Sequence, residues 1–145
     1  MNDPHVRFNE LISVLKQQGF RMTPQRLELI RIIAASEGHP SALQIYETIK
    51  NQFPTMSQAT VYNTLTLLKE MNQVLEIDFH GDSHYDGNRP EEHPHLVCLE
   101  CKKILDADLD IGNGNIALLE STTGFKIVRS QISFFGFCPD CKSKS

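Results

Sequence analysis

The sequence predicts an α+β protein built as two units, and three observations carry that expectation. Four segments with the apolar spacing of helices fill the first 71 positions, and an alternating apolar strand and a turn follow them. All four cysteines of the 145-residue chain fall in two Cys-x-x-Cys pairs, Cys98 with Cys101 and Cys138 with Cys141. The helices and hairpin describe a first unit, and the cysteines describe a smaller α/β unit clipped by a metal.

Phe8, Leu11, Ile12 and Leu15 follow the i, i+3, i+4, i+7 spacing of an amphipathic helix over about residues 6 to 18, with Gly19 placed to end it in a left-handed cap. Thr23-Pro24 reads as the N-cap and first position of a second helix. Its buried stripe is Leu27, Ile30 and Ile33 or Ala34, and it stops near Ser36-Glu37-Gly38. Ser41-Ala42-Leu43-Gln44 has the form of a capping box opening a third helix, whose apolar face is Leu43, Tyr46, Ile49 and Phe53 before Pro54 forbids extension. Ser57 caps a fourth, Gln58 to Met71, with Val61, Leu65 and Leu68 inward and Tyr62, Asn63, Thr66 and Lys69 outward. Val74 to Phe79 alternates like a half-buried strand, and His80 to Ser83 is a turn before His84-Tyr85-Asp86. Helices and a hairpin in this order make a winged helix, a helix-turn-helix variant whose last helix enters the DNA major groove.

Gly87-Asn88-Arg89-Pro90-Glu91-Glu92 carries glycine, proline and charge with little apolar content, the composition of a hinge. The expected division is therefore a winged-helix domain over 1–86, a hinge over 87–92, and a dimerisation and metal-binding domain over 93–145. That last domain is expected to hold a strand over 93–98, a returning strand over 104–108, a helix around 116–121 and strands within 125–137.

Two Cys-x-x-Cys turns aim four thiolates at one point, the closed tetrahedral set of structural zinc. The 36 residues between the pairs exceed the usual zinc-ribbon spacing, so the metal clips a whole subdomain. Two disulfides or an iron–sulfur centre could use the same residues. The start Met1-Asn2-Asp3-Pro4-His5 lacks the basic and apolar run of a signal peptide, which points to a reducing, cytoplasmic compartment and to free thiolates.

His93 and His95 sit two apart in an expected strand and share a face, while Cys98 has the opposite parity, so the histidines serve a second site. The returning strand brings Asp106 or Asp108 within reach. Imidazoles and carboxylates together suit Fe²⁺, Mn²⁺ or Zn²⁺. A solvated surface pair of histidines is the alternative, and His80 and His84 compete as donors near the hinge.

The formal net charge is −4, but it is not evenly spread. Residues 73–86 hold four acidic and no basic residues, whereas Lys16, Arg21, Arg26 and Arg31 make the first part of the chain locally basic. Local field governs phosphate binding more than the total does. No apolar run approaches a membrane span, and no membrane partner is expected.

Arg21-Met22-Thr23-Pro24-Gln25-Arg26, His39-Pro40-Ser41-Ala42 with Ile45-Tyr46, Ser57 to Leu65, His93-x-His95-x-x-Cys98-x-x-Cys101 and the closing Cys138-x-x-Cys141 together resemble the ferric uptake regulator family of metal-dependent DNA-binding repressors, over almost the whole chain. The resemblance implies a homodimer acting on a double-stranded DNA operator, with a structural Zn²⁺ on the four cysteines. The sequence looks most like the family's peroxide-sensing regulators, which hold Fe²⁺ or Mn²⁺ with three histidines and two aspartates. The matching positions are His39, Asp86, His93, His95 and Asp106, the last standing where iron-sensing relatives typically place Glu. One departure is that Asp86 and His93 lie one residue farther apart than in that subgroup. In such regulators peroxide oxidises a ligand histidine, here His39 or His93, and no further small-molecule substrate is implied. Tyr62, Asn63, Gln58 and Thr60 are the implied base readers, with Arg21 as a backbone or minor-groove contact. An iron or zinc uptake regulator of the same family is the nearest alternative. Outside that class stand a small metallohydrolase, which the split of the ligands across a hinge disfavours, and a zinc-ribbon interaction module. The chain is thus expected to be a regulator, not an enzyme.

Overall fold

The computed structural model describes residues 2–36, 38–79, 82–108 and 113–142. It resolves into two compact units, Met1–Pro90 and Glu91–Ser145.

In the first unit, α1 (Pro4–Gln17), α2 (Pro24–Ala35), α3 (Ala42–Lys50) and α4 (Gln58–Glu70) precede a hairpin of β1 (Leu75–Phe79) and β2 (Asp82–Asp86). Each helix begins where a short polar side chain takes up an otherwise unpaired backbone N–H. Asp3, Thr23, Ser41 and Ser57 are the N-caps, and Ser41 with Gln44 forms the full reciprocal box. Leu11 and Leu15 of α1, Leu29, Ile30 and Ile33 of α2, Ile45 and Ile49 of α3, and Val61, Leu65 and Leu68 of α4 meet in one core at 0–1% exposure. The hairpin is antiparallel, with Leu75 opposite Asp86 and Ile77 opposite His84, and a bridge from His84 to Ser41 ties it to the start of α3.

Two buried stripes differ from expectation. In α3 the buried positions are Ala42, Ile45 and Ile49, while Leu43 is 47% exposed and Tyr46 and Phe53 only flank the core. The packing of α3 against α2 and α4 selects the Ala42, Ile45 and Ile49 face of this nine-residue helix. In α2 the stripe runs through Leu29, Ile30, Ile33 and Ala34, leaving Leu27 at the margin. The expected turn residue His80 lies outside the described residues.

The second unit is a three-stranded sheet in the order β4-β3-β5, formed by β3 (His95–Cys98), β4 (Ile104–Asp106) and β5 (Ser133–Gly136), with α5 (Asn113–Thr123) and the short α6 (Pro139–Lys142). β4 runs antiparallel to β3 and β5 runs parallel to it. Strands were expected within 125–137, and there only Ser133–Gly136 joins a ladder, while Phe125 and Val128 stand 73% and 88% exposed. Among the described residues the buried apolar set of this unit is Val97, Ile104, Cys98 and Cys141. So thin a core does not by itself hold about 55 residues together, and a unit of this size needs a staple.

Candidate metal centres

The staple is the cysteine cluster. The turn after β3 carries Cys98 and Cys101, the segment into α6 carries Cys138 and Cys141, and the four Sγ atoms lie within 4.8 Å of one another. The backbone N–H of Cys138 donates to the Cys98 sulfur at 3.4 Å, and Cys101 Sγ stands 3.8 Å from Cys138 Sγ. Backbone N–H groups, that of Cys138 foremost, pull the Cys98 thiol down to about 6. The Cys141 thiol is pushed up to about 12, first by its hydrogen bond with the Cys138 sulfur and then by burial. One sulfur is thus set up as a thiolate while another resists sharing the same space as an anion. A dication at the centre removes that conflict, because it stabilises all four thiolates together. The donor set therefore fits zinc, and fits it as a closed structural site with no position left for substrate.

A second set of donors in this unit is made of nitrogen and oxygen. The β3–β4 register places His95 directly opposite Asp106, and the Asp106 Oδ1 atom lies 3.4 Å from His95 Nε2 and 2.8 Å from His93 Nε2. His93 Nδ1 is 2.7 Å from the Glu91 carbonyl. A carbonyl only accepts, so Nδ1 carries a proton there, which leaves Nε2, on the Asp106 side, as the ring atom that would ligate an ion shared with that carboxylate. Asp108 lies beyond the end of β4 and is exposed, so the sheet register favours Asp106 of the two candidates.

In the first unit His39 and Asp86 form a smaller pair. Both are buried, at 6% and 2%, and His39 Nε2 stands 3.5 Å from Asp86 Oδ2. Asp86 ends β2, and its other oxygen, Oδ1, accepts the backbone N–H groups of Asn88 and Arg89 at 3.0 Å each. That fixes the carboxylate plane and turns Oδ2 toward His39. His39 adopts a left-handed backbone, φ 54°, uncommon for a residue other than glycine. His84, the other described histidine near the hairpin end, has Nδ1 2.7 Å from the His39 carbonyl, which makes it a donor there. Its Nε2 faces Asp82 Oδ2 at 3.3 Å. It thus supports His39 through the main chain.

The expected DNA-reading positions all lie at the surface. Gln58, Thr60, Tyr62 and Asn63 of α4 are exposed, Tyr62 by 49%, and so is Arg21 ahead of α2. The Arg21 carbonyl accepts from Arg26 Nη1 at 2.6 Å, and the Arg26 guanidinium rests over the Phe20 ring.

Compared with known proteins, residues 17–135 match the model of the ferric uptake regulator family. The chain belongs to that family. It is 35% identical over 137 residues, 93% of its own length and 91% of the relative's, to the peroxide-responsive repressor PerR of Staphylococcus aureus strain Mu50. Among solved structures it is similar to PerR of Streptococcus pyogenes, 32% identical with a TM-score of 0.53 over 93% of this chain and 92% of that one. The fold is shared with the ferric uptake regulator of Helicobacter pylori, 24% identical with a TM-score of 0.75 over 97% and 95% of the two chains. As a ferric uptake regulator family member the chain is a metal-responsive regulator, with the α+β architecture and four-cysteine cluster described above.

Within this family member, sequence reasoning passed over the residues that hold Asp86 in place. Ser36 reads only as a helix stop and Asn88 only as hinge composition, and Arg7 carries no reading. No local pattern marks them, because their partners are 51 to 86 residues distant.

Proposed function

We propose that this protein is a homodimeric, metal-dependent repressor that binds an operator in double-stranded DNA and senses peroxide. In this reading His39 and Asp86 join His93, His95 and Asp106 on one Fe²⁺ or Mn²⁺ ion, while Zn²⁺ occupies the four cysteines. The observation that carries it is Asp106, whose short carboxylate reaches both His93 and His95 where iron-sensing relatives typically carry Glu. Neither unit offers a complete shell. Two donors in one and three in the other sum to five.

The ligands come from both sides of residues 87–92, so filling the site restrains the two units and sets the spacing of the two α4 helices in a dimer. Losing a ligand releases DNA. Fe²⁺ held by these residues would supply the redox chemistry that activates the peroxide O–O bond, whereas Mn²⁺ would support repression without sensing. The residues hold the rings in place: the Glu91 carbonyl accepts from His93 Nδ1, and the His39 backbone N–H donates to the Ser36 carbonyl.

Homodimerisation is supported by one face of the second sheet. Leu105, Leu96 and Phe134 stand in register across β4, β3 and β5, each 44–46% exposed. A row of apolar side chains on a sheet face gains by burial against its own copy.

The deciding experiment measures operator binding by the metal-free, Mn²⁺ and Fe²⁺ forms with and without peroxide. Binding by both metal forms, lost after peroxide only with Fe²⁺, supports the reading. Release by removal of iron or zinc alone, with no peroxide effect, assigns an uptake regulator instead. For the DNA contact, Tyr62→Ala is expected to weaken specific operator binding by about 1 to 3 kcal/mol while leaving metal content and dimerisation intact. Equal loss on unspecific DNA in a gel-shift competition would show that Tyr62 does not read bases.

A further inference from the structure

Ser36 touches both metal-ligand segments of the first unit. It is the left-handed C-cap of α2, φ 36°, and 5% exposed. Its carbonyl accepts the backbone N–H of His39 at 3.2 Å, and its hydroxyl accepts the backbone N–H of Gly87, the residue after Asp86, at 2.9 Å. The hydroxyl proton goes to the Ile33 carbonyl, so both of its capacities are used and its rotamer is fixed.

Two further anchors fix the same Asp86–Asn88 segment from other directions. Arg7 of α1, 3% exposed, donates Nε to the Gly87 carbonyl at 2.7 Å and Nη2 to the Gln73 carbonyl at 2.6 Å. Asn88, also 3% exposed, spends its whole amide. Oδ1 accepts from the Asn2 backbone N–H at 2.7 Å, and Nδ2 donates to the carbonyls of Asn2 and Ala34 at 2.8 and 3.0 Å. Gly87 itself is pressed onto α2: an added Cβ would lie 2.5 Å from both Ile33 Cγ2 and the Ile33 carbonyl oxygen. The chain could not come so close with any side chain there.

We propose that Ser36, with Arg7 and Asn88, is a positioning clamp that presets the His39–Asp86 pair for the regulatory ion. Buried, fully used hydrogen-bonding groups are rigid, and a ligand pair held rigidly before the ion arrives loses less freedom on binding. The clamp also makes the docking of α1, through Arg7 and Asn2, a determinant of metal affinity far along the chain from any ligand. The proposal rests on Asp86 and His39 being ligands.

The test titrates Mn²⁺ into the zinc-loaded full-length protein, following free Mn²⁺ by electron paramagnetic resonance, for wild type, Asp86→Ala, Ser36→Ala, Ser36→Gly and Arg7→Lys. The Mn²⁺-induced rise in Tm is recorded in parallel. Ser36→Gly keeps the left-handed backbone without the hydroxyl, so it remains informative if Ser36→Ala fails to fold, and Arg7→Lys tests the clamp from α1. Asp86→Ala is expected to abolish the Mn²⁺ site, and the clamp variants to weaken it about 10- to 100-fold, the usual range for outer-shell support. Zinc content and helicity should stay at wild-type values, and the Mn²⁺-induced rise in Tm should shrink. A merely structural role would lower the Tm of the Mn²⁺-free protein and leave Mn²⁺ affinity unchanged, and that result overturns the clamp. If Asp86→Ala keeps wild-type affinity, the ligand assignment fails and the clamp's role in metal binding fails with it.

Discussion

Cys98→Ser is expected to release the zinc and collapse the second unit, so that the variant purifies without stoichiometric zinc and as a monomer or an aggregate. The expectation follows from how little else holds that unit. Its buried apolar residues among those described are Val97, Ile104 and two of the cysteines themselves, while Leu96, Leu105 and Phe134 remain about half exposed. A structural zinc site of this kind contributes an apparent folding free energy of about 10 to 16 kcal/mol. A fully buried aliphatic side chain contributes about 1.5 to 3 kcal/mol. Losing the metal therefore outweighs everything the small core supplies. Cys98 sits where the two pairs meet. It ends the central strand β3, its backbone N–H donates to the Lys103 carbonyl, and its sulfur receives the Cys138 N–H that docks the second pair. The first unit, with its own core, should keep its helices. Zinc analysis, sedimentation and circular dichroism check this, and a zinc-free variant that remains a stable dimer would refute it.

The starts of α2, α3 and α4 were legible in the sequence because each rests on a local bond, whereas α1, expected from about residue 6, starts at Pro4 on an Asp3 cap. Thr23 with Arg26, Ser41 with Gln44 and Ser57 with Thr60 are pairs three residues apart, and each appears in the structure as a cap. Stripe assignment was less secure where tertiary contact chooses between two apolar faces. Leu43 and Ile45 both lie on helical spacing, and only the neighbours α2 and α4 decide that Ala42 and Ile45 go inward. In the second unit, apolar content within 125–137 suggested more strand than exists, since a strand needs a partner and β3 already has β4 on one side and Ser133–Gly136 on the other. Parity explained more of the site. His93 and His95 share a face that Cys98 does not, and the returning strand brings Asp106 opposite His95. Ser36, Arg7 and Asn88 were illegible, because buried polar pairing over long separations leaves no period to read.

Exposure of the Fe²⁺-loaded protein to peroxide is expected to add one oxygen atom to a peptide carrying His39 or His93 and to abolish operator binding, with neither change when Mn²⁺ is bound. The net reaction balances: hydrogen peroxide gives one oxygen to the imidazole ring, forming 2-oxo-histidine, and leaves as water. Its rate would depend on where the oxygen is released relative to the ring, a placement that Asp106, as a ligand of the proposed site, would set. Its Oδ1 lies 2.8 Å from His93 Nε2 and 3.4 Å from His95 Nε2. Asp106→Glu adds one methylene and moves the carboxylate by about 1.5 Å, roughly one carbon–carbon bond. Metal-dependent DNA binding should survive, since an oxygen donor remains. Oxidation should slow by about tenfold or more, because misplacing reacting atoms by about 1 Å costs up to about 100-fold. Mass spectrometry of the histidine peptides against time of exposure, beside DNA binding of the same samples, separates the two effects. An unmodified wild type, or a Glu variant oxidised at the wild-type rate, would remove the peroxide-sensing reading and leave a regulator that answers to metal alone.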